Sequence, residues 1–254
     1  MLKISNMKKE KLKKKLNPLF FQGIAHRGYH DKENTENGLN AFKRALDNNL
    51  AIELDIHLTK DKQLIVCHDE DLKRTTSKEG IIEDLTLKEI QDNYTLLDGT
   101  KVPTLKEVFD IVNEQVPLVI ELKVFRKNYK ELAKVVKAFL DNNVKDKKNF
   151  MLISFDPRSL LPFKRYGIVR SLLVAESHYY VYRLFSLFFE TYDVEQILLN
   201  RKNIARIHKH KLMNVWTIKN KEELNKVLPY VDMVTFQDFS YKDVRKALKE
   251  NNKY

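Results

Sequence analysis

Short runs of apolar and β-branched residues alternate with longer amphipathic stretches along most of the chain, the pattern of an α/β fold. Strands are expected over residues 24–26, 51–58, 63–68, 117–123, 150–155, 169–174, 192–196, 213–218 and 233–236. Helices are expected over 38–48, 104–114, 129–142, 157–166, 178–190, 201–210 and 221–228. Leu105, Val108, Phe109 and Val112 show the helical spacing, as do Leu132, Val135, Val136 and Phe139.

Nine strands with helices mostly between them point to a closed barrel rather than an open sheet. One connection breaks the rhythm. Only about four residues, 59–62, separate the second strand from the third, whereas a parallel crossover needs a dozen or more. These two strands should therefore form an antiparallel hairpin. With a two-residue loop at Asp61 and Lys62, His68 would stand almost opposite Asp55.

The 254 residues, 43 % of them apolar, suit one large barrel domain over residues 23–254. The net charge of +11 is uneven: residues 1–16 hold seven lysines against Glu10. Residues 1–22 read as a basic tail, either a solvated end or a peripheral contact with an anionic membrane or polyanion. No nucleic-acid partner is expected, and the oligomeric state is left open. Cys67 is the only cysteine, which precludes an internal disulfide and fits a reducing compartment. The piece over residues 16–23 is too short and too interrupted for a secretory signal, and no run reaches the roughly 18 residues of a membrane span, so a cytoplasmic location is expected.

Alternation along a strand puts Glu53, Asp55 and His57 on one face and Ile52, Leu54 and Ile56 on the other. Carboxylates inside a barrel need partners, and a hard cation is one answer. Glu121 and Lys123 repeat the construction within Val119–Lys123. His26 and Arg27 end a short strand, where barrel enzymes place working residues. His26 is a candidate acid or base, Arg27 a candidate phosphate clamp, and Asp69 follows His68 as if to orient it. Cys67 points away from His68 and reads as packing. Trp216 is either the wall of a substrate pocket or a core residue. Each motif alone has an ordinary structural explanation; together they describe phosphate-ester chemistry.

The motifs resemble, in order, those of the glycerophosphodiester phosphodiesterases. They are Ile24-Ala25-His26-Arg27-Gly28, Glu36-Asn37-Gly38, Ile52-Glu53-Leu54-Asp55, Val66-Cys67-His68-Asp69, Val102-Pro103-Thr104-Leu105, Val119-Ile120-Glu121-Leu122-Lys123 and Val215-Trp216-Thr217. The resemblance spans nearly the whole chain after the tail. It implies a TIM-type (β/α)8 barrel with an irregular hairpin near the site and an insertion at about 70–101. It also implies hydrolysis of glycerophosphodiesters to glycerol 3-phosphate and an alcohol. Glu53, Asp55 and Glu121 would hold Mg2+ or Ca2+, His26 and His68 would move protons, and Arg27, Lys123 and Trp216 would face the substrate.

Two positions depart from the pattern. Gly38 stands where a hydroxyl residue is usual, so Asn37 is expected to cap the first helix. Gln237-Asp238 stands where many members carry Thr-Asp. Two other readings remain: phospholipase D- or C-like action on lysolipids or phosphoinositides, and a non-catalytic membrane- or polyanion-binding barrel.

Overall fold

The computed structural model describes residues 2–185, 188–201, 204, 208 and 210–254. Eight parallel strands close into a barrel in chain order: β1 (Ile24–Ala25), β2 (Ala51–Leu58), β4 (Leu118–Leu122), β5 (Phe150–Ser154), β6 (Val169–Val174), β7 (Thr191–Glu195), β8 (Leu212–Ile218) and β9 (Met233–Phe236). Closure runs through β1, which pairs with both β2 and β9. Strand alternation separates two cores. Ile52, Leu54, Ile120 and Leu152 face the surrounding helices, while Ala51, Val119, Met151, Val169, Leu212 and Met233 fill the barrel interior.

The ninth strand, β3 (Leu64–Val66), runs antiparallel to the end of β2, as the short connection requires. Its register is shifted by one from the expected one. Thr59 N–H donates to the Gln63 carbonyl, leaving three loop residues rather than two, and the backbone N–H of Cys67 donates to Asp55. The Thr59 hydroxyl donates to Asp61 and Lys62 adopts φ +65°, the left-handed residue that a three-residue hairpin loop demands. Beyond β3, residues 67–103 fold into short helices over a separate apolar cluster that includes Ile65, Cys67, Leu72, Ile82, Ile90 and Tyr94. Cys67 packs there, its thiol pushed up to about 12 by burial.

The lysine-rich beginning of the chain is not simply a solvated end. Leu2–Lys13 is helical, and Lys9 pairs with Asp232 at 3.0 Å. Leu16, Phe20 and Phe21 are buried within the interior cluster and close the barrel floor. An apolar run interrupted by proline looks weak locally; its partners Ile24, Ala51 and Met233 are distant in sequence. Phe20→Ala should cost about 3–5 kcal/mol of unfolding free energy, measured by urea denaturation.

The helix Tyr241–Glu250 was not expected, because it buries only Val244 and Leu248 amid charged residues. The helix expected over 178–190 is shorter, spanning Tyr179–Phe185. The helix expected over 201–210 falls largely outside the described residues. Among the described residues no helix is long and apolar enough to cross a membrane.

Candidate active site

All eight residues singled out in the sequence meet at one end of the barrel. A cavity of about 50 Å³ is lined by His26, Arg27, Glu53, His68, Glu121 and Trp216, among others. Asp55 and Lys123 join them through ion pairs. The register of β2 against β4 does this, setting Asp55 directly beside Glu121. Glu53, Asp55 and Glu121 are buried, and each offers an oxygen within 4.8 Å of the others.

Three carboxylates this close repel one another. Burial raises Glu53 well above the usual range, and the charges of Asp55 and Glu121 add to the effect. Glu121 is pushed up to about 7, chiefly by burial, with Lys123 opposing and Asp55 reinforcing the rise. Asp55 goes the other way: burial is outweighed by Lys123 and Arg27, and its carboxyl is held below the ordinary range. Lys123 Nζ stands 3.0 Å from Glu121 Oε1 and 3.5 Å from Asp55 Oδ1. Arg27 Nε is 3.5 Å from Asp55, and its Nη1 donates to Glu36 at 2.7 Å. Two cations against this many buried acids leave a deficit that a further positive charge would relieve.

Arg27 is placed by its backbone. Its φ of +54° is left-handed, an uncommon conformation for a residue with a side chain, and its N–H donates to Glu53 at 2.9 Å. Gly28 follows at φ +83°, where an added Cβ would stand 3.0 Å from Ala41 and Phe42. The loop is thus pressed onto the helix Leu39–Asp47, and glycine is the residue that fits.

The two imidazoles differ in their partners. His26 Nδ1 faces Gln237 Oε1 at 2.5 Å, while the Gln237 amide nitrogen donates to Asp238. That second bond fixes the amide with its oxygen toward His26, so Nδ1 carries the proton and Nε2 is left unprotonated as the acceptor. Nε2 lies 3.9 Å from Glu53. Burial, helped by Arg27, carries His26 down to about 3, so the ring is neutral. His68 Nδ1 pairs with Asp69 at 2.6 Å, and Asp69 is held by Arg74, which also donates twice to Glu36. Burial lowers His68 as well, with Asp55 and Asp69 opposing. His57 bridges Glu83 and the His68 carbonyl, tying residues 67–103 to this corner.

Three functional candidates escaped the sequence reading. Asn37 does not cap the helix Leu39–Asp47: Gly38 holds the cap position without a side-chain bond. Asn37 instead donates to Asp55 Oδ2 at 2.9 Å, a buried contact that steadies one of the acids. Gln237, read as a departure from pattern, orients His26. Asp193 was unremarked; it lies inside the barrel on β7 and lines the same cavity. Only its acidity on an interior strand position could have flagged it. Beside the cavity runs a groove of about 590 Å³, open to solvent and lined by Lys123, Phe125, Lys127, Arg158, His178 and Phe185. Glu121 and Phe155 border both spaces.

Residues 26–242 match the glycerophosphoryl diester phosphodiesterase family. The chain is 30 % identical over 230 residues to a glycerophosphodiester phosphodiesterase of Caldanaerobacter subterraneus subsp. tengcongensis, covering 81 % of this chain and 88 % of that protein. Among solved structures it resembles a glycerophosphodiester phosphodiesterase of Thermotoga maritima with TM-score 0.70 and 29 % identity, covering 89 % of this chain and 96 % of that one. An Oleispira antarctica phosphodiesterase, solved with its product sn-glycerol-3-phosphate, shares the fold with TM-score 0.79 at 22 % identity, covering 90 % and 96 %.

Proposed function

The chain belongs to the glycerophosphoryl diester phosphodiesterase family, and on that premise we propose that it hydrolyses glycerophosphodiesters to glycerol 3-phosphate and an alcohol. The observation that carries the reading is the meeting of three buried acids, two imidazoles, one arginine and one lysine around a single cavity. The donor set fits a hard divalent cation, Mg2+ or Ca2+: all-oxygen, buried, and repulsive without a counter-charge. Glu53, Asp55 and Glu121 would hold it, and the bound ion would supply charge neutralisation at the phosphate oxygens.

The chain's own groups account for the proton traffic. Arg27 and Lys123 would clamp the phosphate, and the left-handed turn at Arg27 preorganises that clamp. His26 Nε2, unprotonated because Gln237 holds the proton on Nδ1, would take the proton from the glycerol 2-hydroxyl as its oxygen bonds to phosphorus. His68, paired with Asp69, would give a proton to the departing alcohol as its P–O bond breaks. The product of this step is a 1,2-cyclic phosphate of glycerol. In the second step the roles reverse: His68 would deprotonate water as its oxygen bonds to phosphorus, and His26 would return a proton to the 2-oxygen as its P–O bond breaks, leaving glycerol 3-phosphate.

The exposed side chains of Tyr180, Leu184 and Phe188 favour a second reading, lysolipid hydrolysis at a membrane surface. A screen of glycerophosphodiesters with Mg2+, Ca2+ and Mn2+ separately, scored by glycerol 3-phosphate release, tests the first reading. Turnover that is abolished by chelation is expected. Metal binding by the folded protein with no diester cleaved would overturn it.

A further inference from the structure

Five charged or ionisable side chains on two loops form one continuous chain beside the site, and its middle member has no part in the proton transfers. Arg74 Nε donates to Asp69 Oδ2 at 2.6 Å, while Nη1 and Nη2 donate to the two oxygens of Glu36 at 2.9 and 2.8 Å. Glu36 Oε1 also accepts from Arg27 Nη1 at 2.7 Å, and Asp69 Oδ1 faces His68 Nδ1 at 2.6 Å. Every nitrogen of the Arg74 guanidinium is thereby committed. One arm leads to the phosphate clamp and the other to the imidazole that serves the leaving group.

The two loops cannot slide past one another. Thr35 N–H donates to Asp98 Oδ2 and Asp98 N–H donates to Thr35 Oγ1, each at 3.1 Å. On the other side of Glu36, Asn37 N–H donates to the Arg27 carbonyl at 2.9 Å, and the Asn37 side chain holds Asp55. Glu36 is thus fixed from both flanks, and it decides which edge of Arg27 turns to the cavity. Nη1 is bound to Glu36, whereas Nε, 3.5 Å from Asp55, is a buried donor with no hydrogen-bond partner among the described residues. That edge is the one left to meet a phosphate oxygen.

Stability does not account for Arg74. Its side chain is 47 % exposed, and ion pairs at such a surface contribute little to folding. Burial would raise Glu36, but the hydrogen bond from Arg74 and the charge of Arg27 outweigh it, and its carboxyl sits at about 2. Asp69 sits at about 2 as well, burial being outweighed by Arg74 and His68. Both carboxylates therefore stay ionised at neutral pH. A planar fork that meets two of them at once sets distance and angle together, which a flexible ammonium cannot do.

Resting on the diesterase reading above, we propose that Arg74 is a positioning residue that registers the two halves of the site, holding Arg27 through Glu36 and His68 through Asp69. Residues 67–103 thereby shape the site through one guanidinium as well as through His68 itself.

Two diesters that differ in their need for an acid test this in the full chain with Mg2+ or Ca2+. One is sn-glycero-3-phosphocholine, followed by choline release; the other is glycerophospho-p-nitrophenol, followed by single-turnover nitrophenol release. Arg74→Met keeps the apolar stem and removes the fork. It should lower choline release by about a hundredfold in kcat/KM. Its melting temperature should stay within about 4 °C of wild type. Nitrophenol release should fall only about tenfold, because nitrophenolate departs without a proton. That smaller fall should appear as a higher concentration for half-maximal rate, the mark of a loosened phosphate clamp. Glu36→Gln should slow both diesters alike, and Asp69→Asn should slow choline release alone. Arg74→Lys, which keeps the charge without the fork, should remain about tenfold or more below wild type. Full activity in either Arg74 variant, or an equal fall on the two diesters in Arg74→Met, would overturn this proposal alone. Absence of release from both diesters by the wild-type protein would count against the diesterase reading itself, and this proposal would fall with it.

Discussion

Glu53→Gln should lower cation-dependent turnover by about a thousandfold while raising the stability of the cation-free protein. Both effects have one cause. Glu53 is buried, shares the site with Asp55 and Glu121, and accepts a hydrogen bond from Arg27 N–H at 2.9 Å. An amide keeps the shape and the bond but removes one of three charges, the kind of electrostatic loss that costs about 10²–10³ in rate at a preorganised site. In the cation-free protein the same charge is a liability. Burial and the neighbouring Asp55, outweighing Lys123, carry the Glu121 carboxyl from its ordinary 4.5 to about 7. Because its folded-state value lies above the unfolded one, Glu121 contributes stability below about pH 4.5 that is lost as pH rises through about 7. The loss is on the order of 3 kcal/mol. The melting temperature of the wild-type protein in chelator should therefore fall between pH 5 and pH 8, and Mg2+ or Ca2+ should restore it. In Glu53→Gln the fall should be smaller, since Glu53, itself raised by burial and by the charges of Asp55 and Glu121, no longer titrates. A variant with full activity would remove Glu53 from the cation-binding set; a melting temperature that rises with pH would remove the repulsion argument.

How much of this site can be read from the chain depends on the range of the interaction. Alternation alone aligns Glu53 with Asp55, and loop length alone makes the β2–β3 hairpin. The register error of one residue in that hairpin came from the left-handed Lys62, since lysine gives no sequence signal for positive φ in the way glycine does. The meeting of Asp55 with Glu121 depends on barrel closure; the order of family motifs supported it, not local pattern. Asn37 was misread because capping is the common local role of asparagine before a helix, whereas its real partner, Asp55, is 18 residues away. Gln237 and His26 are separated by 211 positions, so no local rule links them. Phe20 and Phe21 failed for the same reason: an apolar pair after a lysine run has no visible partner until the barrel closes above it.

The two histidines should prove unequal in a way that separates acid from base. Single alanine substitutions at His26 and His68 should each lower kcat on glycerophosphocholine by about 10²–10⁴-fold. The double variant should be little worse than either, because the two act on one transition state. The leaving group discriminates further. A glycerophosphodiester of p-nitrophenol departs as a stable anion and needs no proton. If His68 is the acid of the first step, single-turnover nitrophenol release should be nearly normal in His68→Ala. It should stay depressed in His26→Ala, because the 2-hydroxyl must still lose its proton whatever the leaving group. The assignment follows from the partners: Gln237 offers His26 only an acceptor, which leaves Nε2 free to take a proton, while Asp69 supports a protonated His68. The opposite pattern, with nitrophenol release rescued in His26→Ala alone, would exchange the two roles. It would also require the Gln237 amide to be reversed, losing its bond to Asp238.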